Sequence, residues 1–212
     1  MRAAQRFAGW TLDELARVHG SALTPPASRD KGYVGRLLER ALGLPRVARA
    51  AQDFESLGVE LKTLPVGCNA QPRESTFVCY VPLASLADTP WEHSRVALKL
   101  TRVLFVPIES DKGLATTRRR IGCAFLWSPS PEQARLLRED YAALAARVAA
   151  GDLERLDARA GSVLQLRPKA AHGGVRIRMA DGEGAPVLAQ PRAFYLRASF
   201  TATLIRAVLD GT

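Results

Sequence analysis

Between residues 34 and 62 the apolar side chains change their period, and no single class of secondary structure satisfies both patterns. Val34, Leu37, Leu38, Ala41 and Leu42 recur at i, i+3, i+4, i+7 and i+8, the stripe of an amphipathic helix that ends near Gly43. After a loop, Val59 and Leu61 alternate with Glu60 and Lys62, which is the period of a strand. The chain is therefore committed to helices and sheet together.

The rest of the sequence extends that mixture. Thr11-Leu12-Asp13-Glu14 has the form of a capping box and predicts a helix to about His19, followed by a Pro25-Pro26 loop over Ser21–Lys31. Thr76–Val81, Arg102–Val106 and Ile121–Trp127 are rich in β-branched and aromatic residues and read as strands. Ser130-Pro131-Glu132-Gln133 opens a second capped helix that carries Leu136, Leu137, Tyr141, Leu144 and Val148 to about Gly151. Ser162–Arg167 reads as a strand, Asp181–Pro186 as a turn and Phe200–Leu209 as a closing helix. Several strands follow one another directly, so the expectation is α/β or α+β with a mixed sheet rather than a doubly wound one.

Charge and cysteine content narrow the function classes. The 30 lysines and arginines exceed the 21 acidic residues, giving a formal charge of +9 that suits a polyanion such as nucleic acid. Charge alone leaves a plain basic surface equally open. No run approaches the roughly 20 apolar residues of a membrane span, and the N-terminus lacks a signal-peptide pattern. Cys68, Cys79 and Cys123 form no C-x-x-C pair and are odd in number, which fits a reducing cytoplasm. There is no phosphate-binding loop of the G-x-x-x-x-G-K-[ST] type and no G-x-S-x-G elbow, and His19, His93 and His172 are too dispersed for a zinc site.

One segment carries chemistry: Asp53-Phe54-Glu55-Ser56-Leu57-Gly58-Val59-Glu60-Leu61-Lys62. Gly58 permits a turn into a strand on which Glu60 and Lys62 share a face, and Asp53 can return to that face across the turn. Phosphodiester hydrolysis needs hard oxygen ligands for Mg²⁺, a positioned water and positive charge against the developing phosphorane. Asp53 and Glu60 are the candidate metal ligands, and Lys62 would orient or deprotonate the water, or stabilise the transition state. At roughly 5% usage of each residue type, a D-x₆-E-x-K string arises by chance in about 3% of chains this long, so alone it is a weak motif that better describes a solvated strand face with a salt bridge.

The runs Arg29-Asp30-Lys31-Gly32, Leu37-Leu38-Glu39, Gln52-Asp53-Phe54, Leu57–Thr63, Thr76–Cys79, Leu126–Pro129 and Arg167-Pro168-Lys169-Ala170 supply the missing context. Together, in order and from about residue 7 to residue 208, they resemble the MutH family of strand-nicking endonucleases of methyl-directed mismatch repair. The resemblance implies one restriction-endonuclease-like domain, a central mixed sheet flanked by helices with an N-terminal catalytic lobe and a C-terminal DNA-reading lobe. It implies nicking beside the G of GATC on the unmethylated strand of double-stranded DNA, with Mg²⁺ as cofactor and Mn²⁺ or Ca²⁺ able to occupy its site. Activation by MutL, and indirectly MutS, follows from the same likeness, as does a cytoplasmic monomer.

The resemblance also assigns individual residues. Asp53 and Glu60 match the metal carboxylates, Lys62 the catalytic lysine, Glu39 an acidic residue of the active site and Lys99 a lysine near the cleft. Arg167, Pro168 and Lys169 match the loop that recognises GATC, Tyr195 the tyrosine near the target adenine, and Phe77 and Lys31 residues around the DNA. Arg167 suits bidentate contact with guanine, whereas Lys169 suits phosphate or base. Gln52 departs from the wider superfamily pattern, in which proline often precedes the first carboxylate, and little consequence is expected of it. Ala171–Val187 departs further, which leaves the DNA contacts there open. A stand-alone GATC restriction enzyme of the same fold and a noncatalytic DNA-binding protein are the alternatives.

Overall fold

A computed structural model describes residues 1–20, 32–44, 51–83, 85–152, 160–169, 177–180 and 186–211. In chain order the elements are α1 (Arg2–Gln5), α2 (Leu12–Val18), α3 (Tyr33–Ala41), β1 (Glu60–Val66), β2 (Thr76–Tyr80), α4 (Arg95–Leu100), β3 (Val103–Glu109), β4 (Phe125–Trp127), α5 (Pro131–Ala149), β5 (Leu164–Pro168), β6 (Ile177–Ala180), β7 (Pro186–Ala189), β8 (Arg192–Leu196) and α6 (Ala198–Leu209). The mixed α/β class stands. Among the described residues the strands fall into three sheets, ordered β1-β3-β4, β2-β8-β5 and β6-β7. No helix among these residues is long and apolar enough to cross a membrane.

The chain divides into two compact units. The first comprises residues 1–74, 101–128 and 201–212, and the second residues 75–100 and 129–200.

In the first unit β1 pairs in parallel with β3, which pairs antiparallel with β4, so this sheet is the mixed one. β1 lies at its edge and tolerates Pro65 within the strand, because a prolyl nitrogen costs no ladder bond on an open side. Both caps read from sequence are formed here and in the second unit: Thr11 and Glu14 satisfy one another's backbone N–H groups at the start of α2, and Ser130 and Gln133 do so at α5. α3 buries Leu37 and Leu38 in a core shared with Val59, Leu61, Leu104 and Val106. One expectation is corrected. Ile121 makes only an isolated bridge to Ile108, and the strand itself is confined to Phe125–Trp127, because Gly122 leaves the ladder to bond Pro107 O.

The second unit is built on the antiparallel sheet β2-β8-β5, with Phe77 and Gln165 flanking Tyr195 from opposite sides and a bulge in β2 between Phe77 and Cys79. α5 covers it with Leu137, Tyr141, Leu144 and Val148 buried. The Tyr141 ring meets Trp91 and Phe194, and its hydroxyl donates to Thr89 O at 2.8 Å. Asp140, the neighbouring residue on α5, is buried and accepts backbone N–H bonds from Ser162, Val163 and Leu164 at 2.7–2.9 Å. These three amides converge because Gly161 turns the chain with φ +83°, and a side chain there would strike Leu164 O. The start of β5 is thereby bolted to α5. The predicted Asp181–Pro186 turn and Ser21–Lys31 loop lie outside the described residues, apart from Pro186, which begins β7.

Candidate active site and DNA-reading face

The first candidate site is made by a nine-residue return of the chain. Residues Glu55–Leu57 form a single 3₁₀ turn, and Gly58 reverses direction in the left-handed region with φ 59°. A β-carbon would meet nothing within 4 Å at Gly58, so glycine is required by backbone conformation and not by space. Phe54 and Val59 then exchange two backbone bonds, at 2.8 and 3.2 Å, which close the loop at its neck. As a result Asp53 lies beside β1, where its Oδ2 accepts the Leu61 N–H at 2.8 Å.

β1 presents the remaining pair as its period requires. Val59 and Leu61 turn into the core, and Glu60 and Lys62 turn the other way, with Lys62 Nζ 2.8 Å from Glu60 Oε1. The parallel register sets Glu60 opposite Val103 and Lys62 opposite Phe105, and Glu60 N donates to Arg102 O, so β3 fixes the height of both side chains. Glu60 is nearly sealed from solvent, at 2% exposure. A buried ion pair of this kind is weak evidence for stability and better evidence for a site, because desolvation offsets most of the attraction.

Glu39 joins this group from α3. Burial pushes its carboxyl above the ordinary value, and the Asp53 charge pushes it further, with Glu60 adding to the rise while Arg36 and Lys62 oppose it. Three carboxylates and one lysine therefore share a single electrostatic environment on the first unit. That is the set the sequence singled out, with Glu39 added through the family likeness. Among the described residues no three His, Cys, Asp or Glu side chains converge closely enough to hold a metal ion unaided.

The other expected residues belong to the second unit or lie outside the described residues. Lys99 belongs to the second unit, near the end of α4, and is buried. Lys31 lies outside the described residues. Arg167, Pro168, Lys169, Tyr195 and Phe77 all belong to the second unit, and four of them touch. The Arg167 guanidinium lies 5.6 Å from the centre of the Tyr195 ring, Lys169 Nζ lies 5.2 Å from that of Phe77, and the two rings meet edge to face at 5.7 Å. Each cation is thus held over an aromatic face, which restricts a long side chain without neutralising it. Arg167 and Pro168 are exposed at the end of β5, where the ladder stops.

Sequence reasoning passed over Gln165. It is buried on the same side of β5 as Arg167, opposite Tyr195, and donates to Ser75 Oγ at 2.6 Å. The alternation Leu164-Gln165-Leu166-Arg167 carried that signal. In the basic run Arg118–Arg120, Arg120 donates to Gly9 O at 2.7 Å, and the backbone Arg119 O accepts from Leu12 N.

Comparison with known proteins places the chain in a family. A family model described as "DNA mismatch repair enzyme MutH" matches residues 42–140, which include Asp53, Glu60, Lys62 and Lys99. Proteins named "DNA mismatch repair protein MutH" from Salmonella paratyphi B (strain ATCC BAA-1250 / SPB7) and Salmonella newport (strain SL254) are each 45% identical over 202 residues, covering 95% of this chain and 87% of theirs. Likeness of that extent takes in the turn, the edge strand and the aromatic face together, and the chain belongs to the MutH family of DNA mismatch repair enzymes.

Proposed function

We propose that this protein is a divalent-metal-dependent DNA endonuclease that nicks the unmethylated strand at hemimethylated GATC sites in methyl-directed mismatch repair, in the cytoplasm and under activation by MutL. The observation that carries the reading is the Asp53–Lys62 return, which puts a carboxylate, a second carboxylate and a lysine on one side of an edge strand. The relatives' names as mismatch repair proteins support the repair context, and the mixed sheet supports a restriction-endonuclease-like fold.

The donor set fits a hard cation such as Mg²⁺. Asp53 and Glu60 offer oxygen ligands, and Glu39, raised first by burial and then by the Asp53 charge, lies within their electrostatic reach. Bound there, the ion would polarise a phosphoryl oxygen and lower the pKa of an attacking water. The protein's own residues do the rest. The Leu61 amide fixes one oxygen of Asp53 and so orients the other. Glu60 holds Lys62 Nζ, whose donors serve the attacking water and the phosphate oxygens as negative charge develops. On the second unit, Arg167 and Lys169 supply donors for guanine edges and phosphates, and Tyr195 lies beside Arg167 as an apolar surface for the adenine methyl position.

The test is nicking of unmodified, hemimethylated and fully methylated GATC duplexes with Mg²⁺, with and without MutL. Cutting confined to unmethylated strands and stimulated by MutL is expected. Equal cutting of fully methylated DNA assigns a stand-alone restriction enzyme instead, and binding without any cutting assigns a noncatalytic DNA-binding protein.

A further inference from the structure

Gln52, the residue standing where the superfamily often has proline, is buried at 8% exposure and donates from Nε2 to Gly58 O at 3.2 Å. We infer that Gln52 is a positioning residue, whose side-chain amide holds the Gly58 peptide so that Asp53 and Glu60 face the same divalent cation; this rests on the metal-dependent reading above.

The argument follows the turn's hydrogen bonds. Gly58 sits in the left-handed region, its N–H bonded to Glu55 O within the 3₁₀ turn. The Phe54–Val59 pair closes the neck, and the Asp53–Leu61 bond closes the strand side. The carbonyl of Gly58 lies between these closures, on the peptide that leads into Val59 and Glu60. Rotation of that peptide would carry the Val59 N–H off Phe54 O and move the first residues of β1 relative to Asp53. Gln52 reaches across six residues to hold this carbonyl from the buried side. Proline at 52 could stiffen the chain but has no donor for this bond. Hydrogen bonds that orient metal ligands are worth about 10–100-fold in metal affinity.

Gln52→Met keeps the approximate volume and burial but removes the donor, and Gln52→Ala removes both. Binding of Ca²⁺, followed by the rise in Tm and by calorimetry, reads the site without turnover. In both variants we expect about tenfold more Ca²⁺ to reach half-saturation, and a matching increase in the Mg²⁺ needed for half-maximal nicking. At saturating Mg²⁺ the rate should return close to wild type, and DNA affinity in EDTA should be unchanged. Hydrogen exchange at the Val59 and Leu61 amides should quicken. Cation titrations identical to wild type overturn the role, as does, in a variant that folds, a loss of activity that saturating cation does not restore. If neither variant folds, exchange in the wild type decides: Val59 and Leu61 amides protected as strongly as the core of β3 are expected, and exchange as fast as a frayed turn overturns the assignment. A wild type that neither binds Ca²⁺ nor nicks overturns the metal-dependent reading and this role with it, whereas a responsive wild type matched by Gln52→Met overturns the role alone.

Discussion

Glu39 and Asp140 are both carboxylates on helices, withdrawn from water beside a strand, and they are treated in opposite ways. Asp140 is saturated: three consecutive backbone amides and the Ser162 hydroxyl converge on it. Glu39 faces other carboxylates, and both burial and Asp53 raise its carboxyl above the ordinary value. A buried charge costs several kcal/mol unless hydrogen bonds replace its hydration; Asp140 has that replacement within the fold, whereas Glu39 is half-buried and is raised first by burial and then by Asp53. A satisfied charge marks scaffold. A charge held against its own kind marks a place that a cation would complete.

The comparison is broken most severely at Asp53. Asp53→Ala should lower nicking by on the order of 10³-fold while leaving DNA affinity in EDTA intact, because the same change removes both the proposed metal-binding oxygen and the bond to Leu61 N. Asp140→Asn should act on stability instead, costing about 3 kcal/mol, since an amide cannot accept from three converging N–H groups without turning a donor toward them. Urea unfolding should show a lower midpoint with an unchanged slope. A stable Asp140→Asn protein with damaged catalysis would reverse the two roles.

Tyr195 tests a surface intermediate between the two. Its ring holds Arg167 and meets Phe77, contacts worth together about 1 kcal/mol. Tyr195→Leu should therefore cost about 1 kcal/mol in unfolding experiments but weaken discrimination between methylated and unmethylated GATC more than it weakens binding to unrelated duplexes. A stability loss as large as that of Asp140→Asn would make the aromatic face part of the scaffold.

These regions differ just as much in how far the sequence disclosed them. The Asp53–Lys62 return is local: Asp53, Gly58, Glu60 and Lys62 lie within ten residues, and the strand period alone predicts that Glu60 and Lys62 share a face, as the 2.8 Å pair shows. The capping boxes at Thr11 and Ser130 are equally local and form as read. Asp140 looks like any acidic residue of a helix surface, because its partners stand 22–24 positions away and are gathered only by the Gly161 turn. Strand β8 escaped notice for a related reason. It is the central strand of its sheet and buries residues on both faces, so Arg192–Leu196 shows no alternation between apolar and polar positions. The six-residue α4 is too short for a helical period to emerge. Gln52 was visible as a departure, but its meaning depends on the Gly58 carbonyl, whose direction follows from the left-handed turn.

The smallest expected effect is the one that most sharpens the contrast, because its sign is opposite to that of Asp140→Asn. A carboxyl whose folded-state pKa is raised binds its proton more tightly in the native protein than in the unfolded chain. Stability then falls as pH rises from the unfolded value toward the folded one, and the cost is fully present above the folded value. Glu39→Gln removes that cost. The variant should be more stable than wild type at pH 8, by less than Asp140→Asn loses, and the gain should vanish as pH falls below the ordinary glutamate value of 4.5. Ca²⁺ should narrow the difference at pH 8, because the wild type gains more from the cation than a variant with one carboxylate fewer. Thermal unfolding of both proteins at pH 4 and pH 8, with and without Ca²⁺, checks each sign. A Glu39→Gln protein less stable at pH 8 would place Glu39 with Asp140 among the charges that hold the fold together, and the division between a carboxylate saturated by backbone amides and one raised by burial and a neighbouring carboxylate would no longer separate scaffold from site.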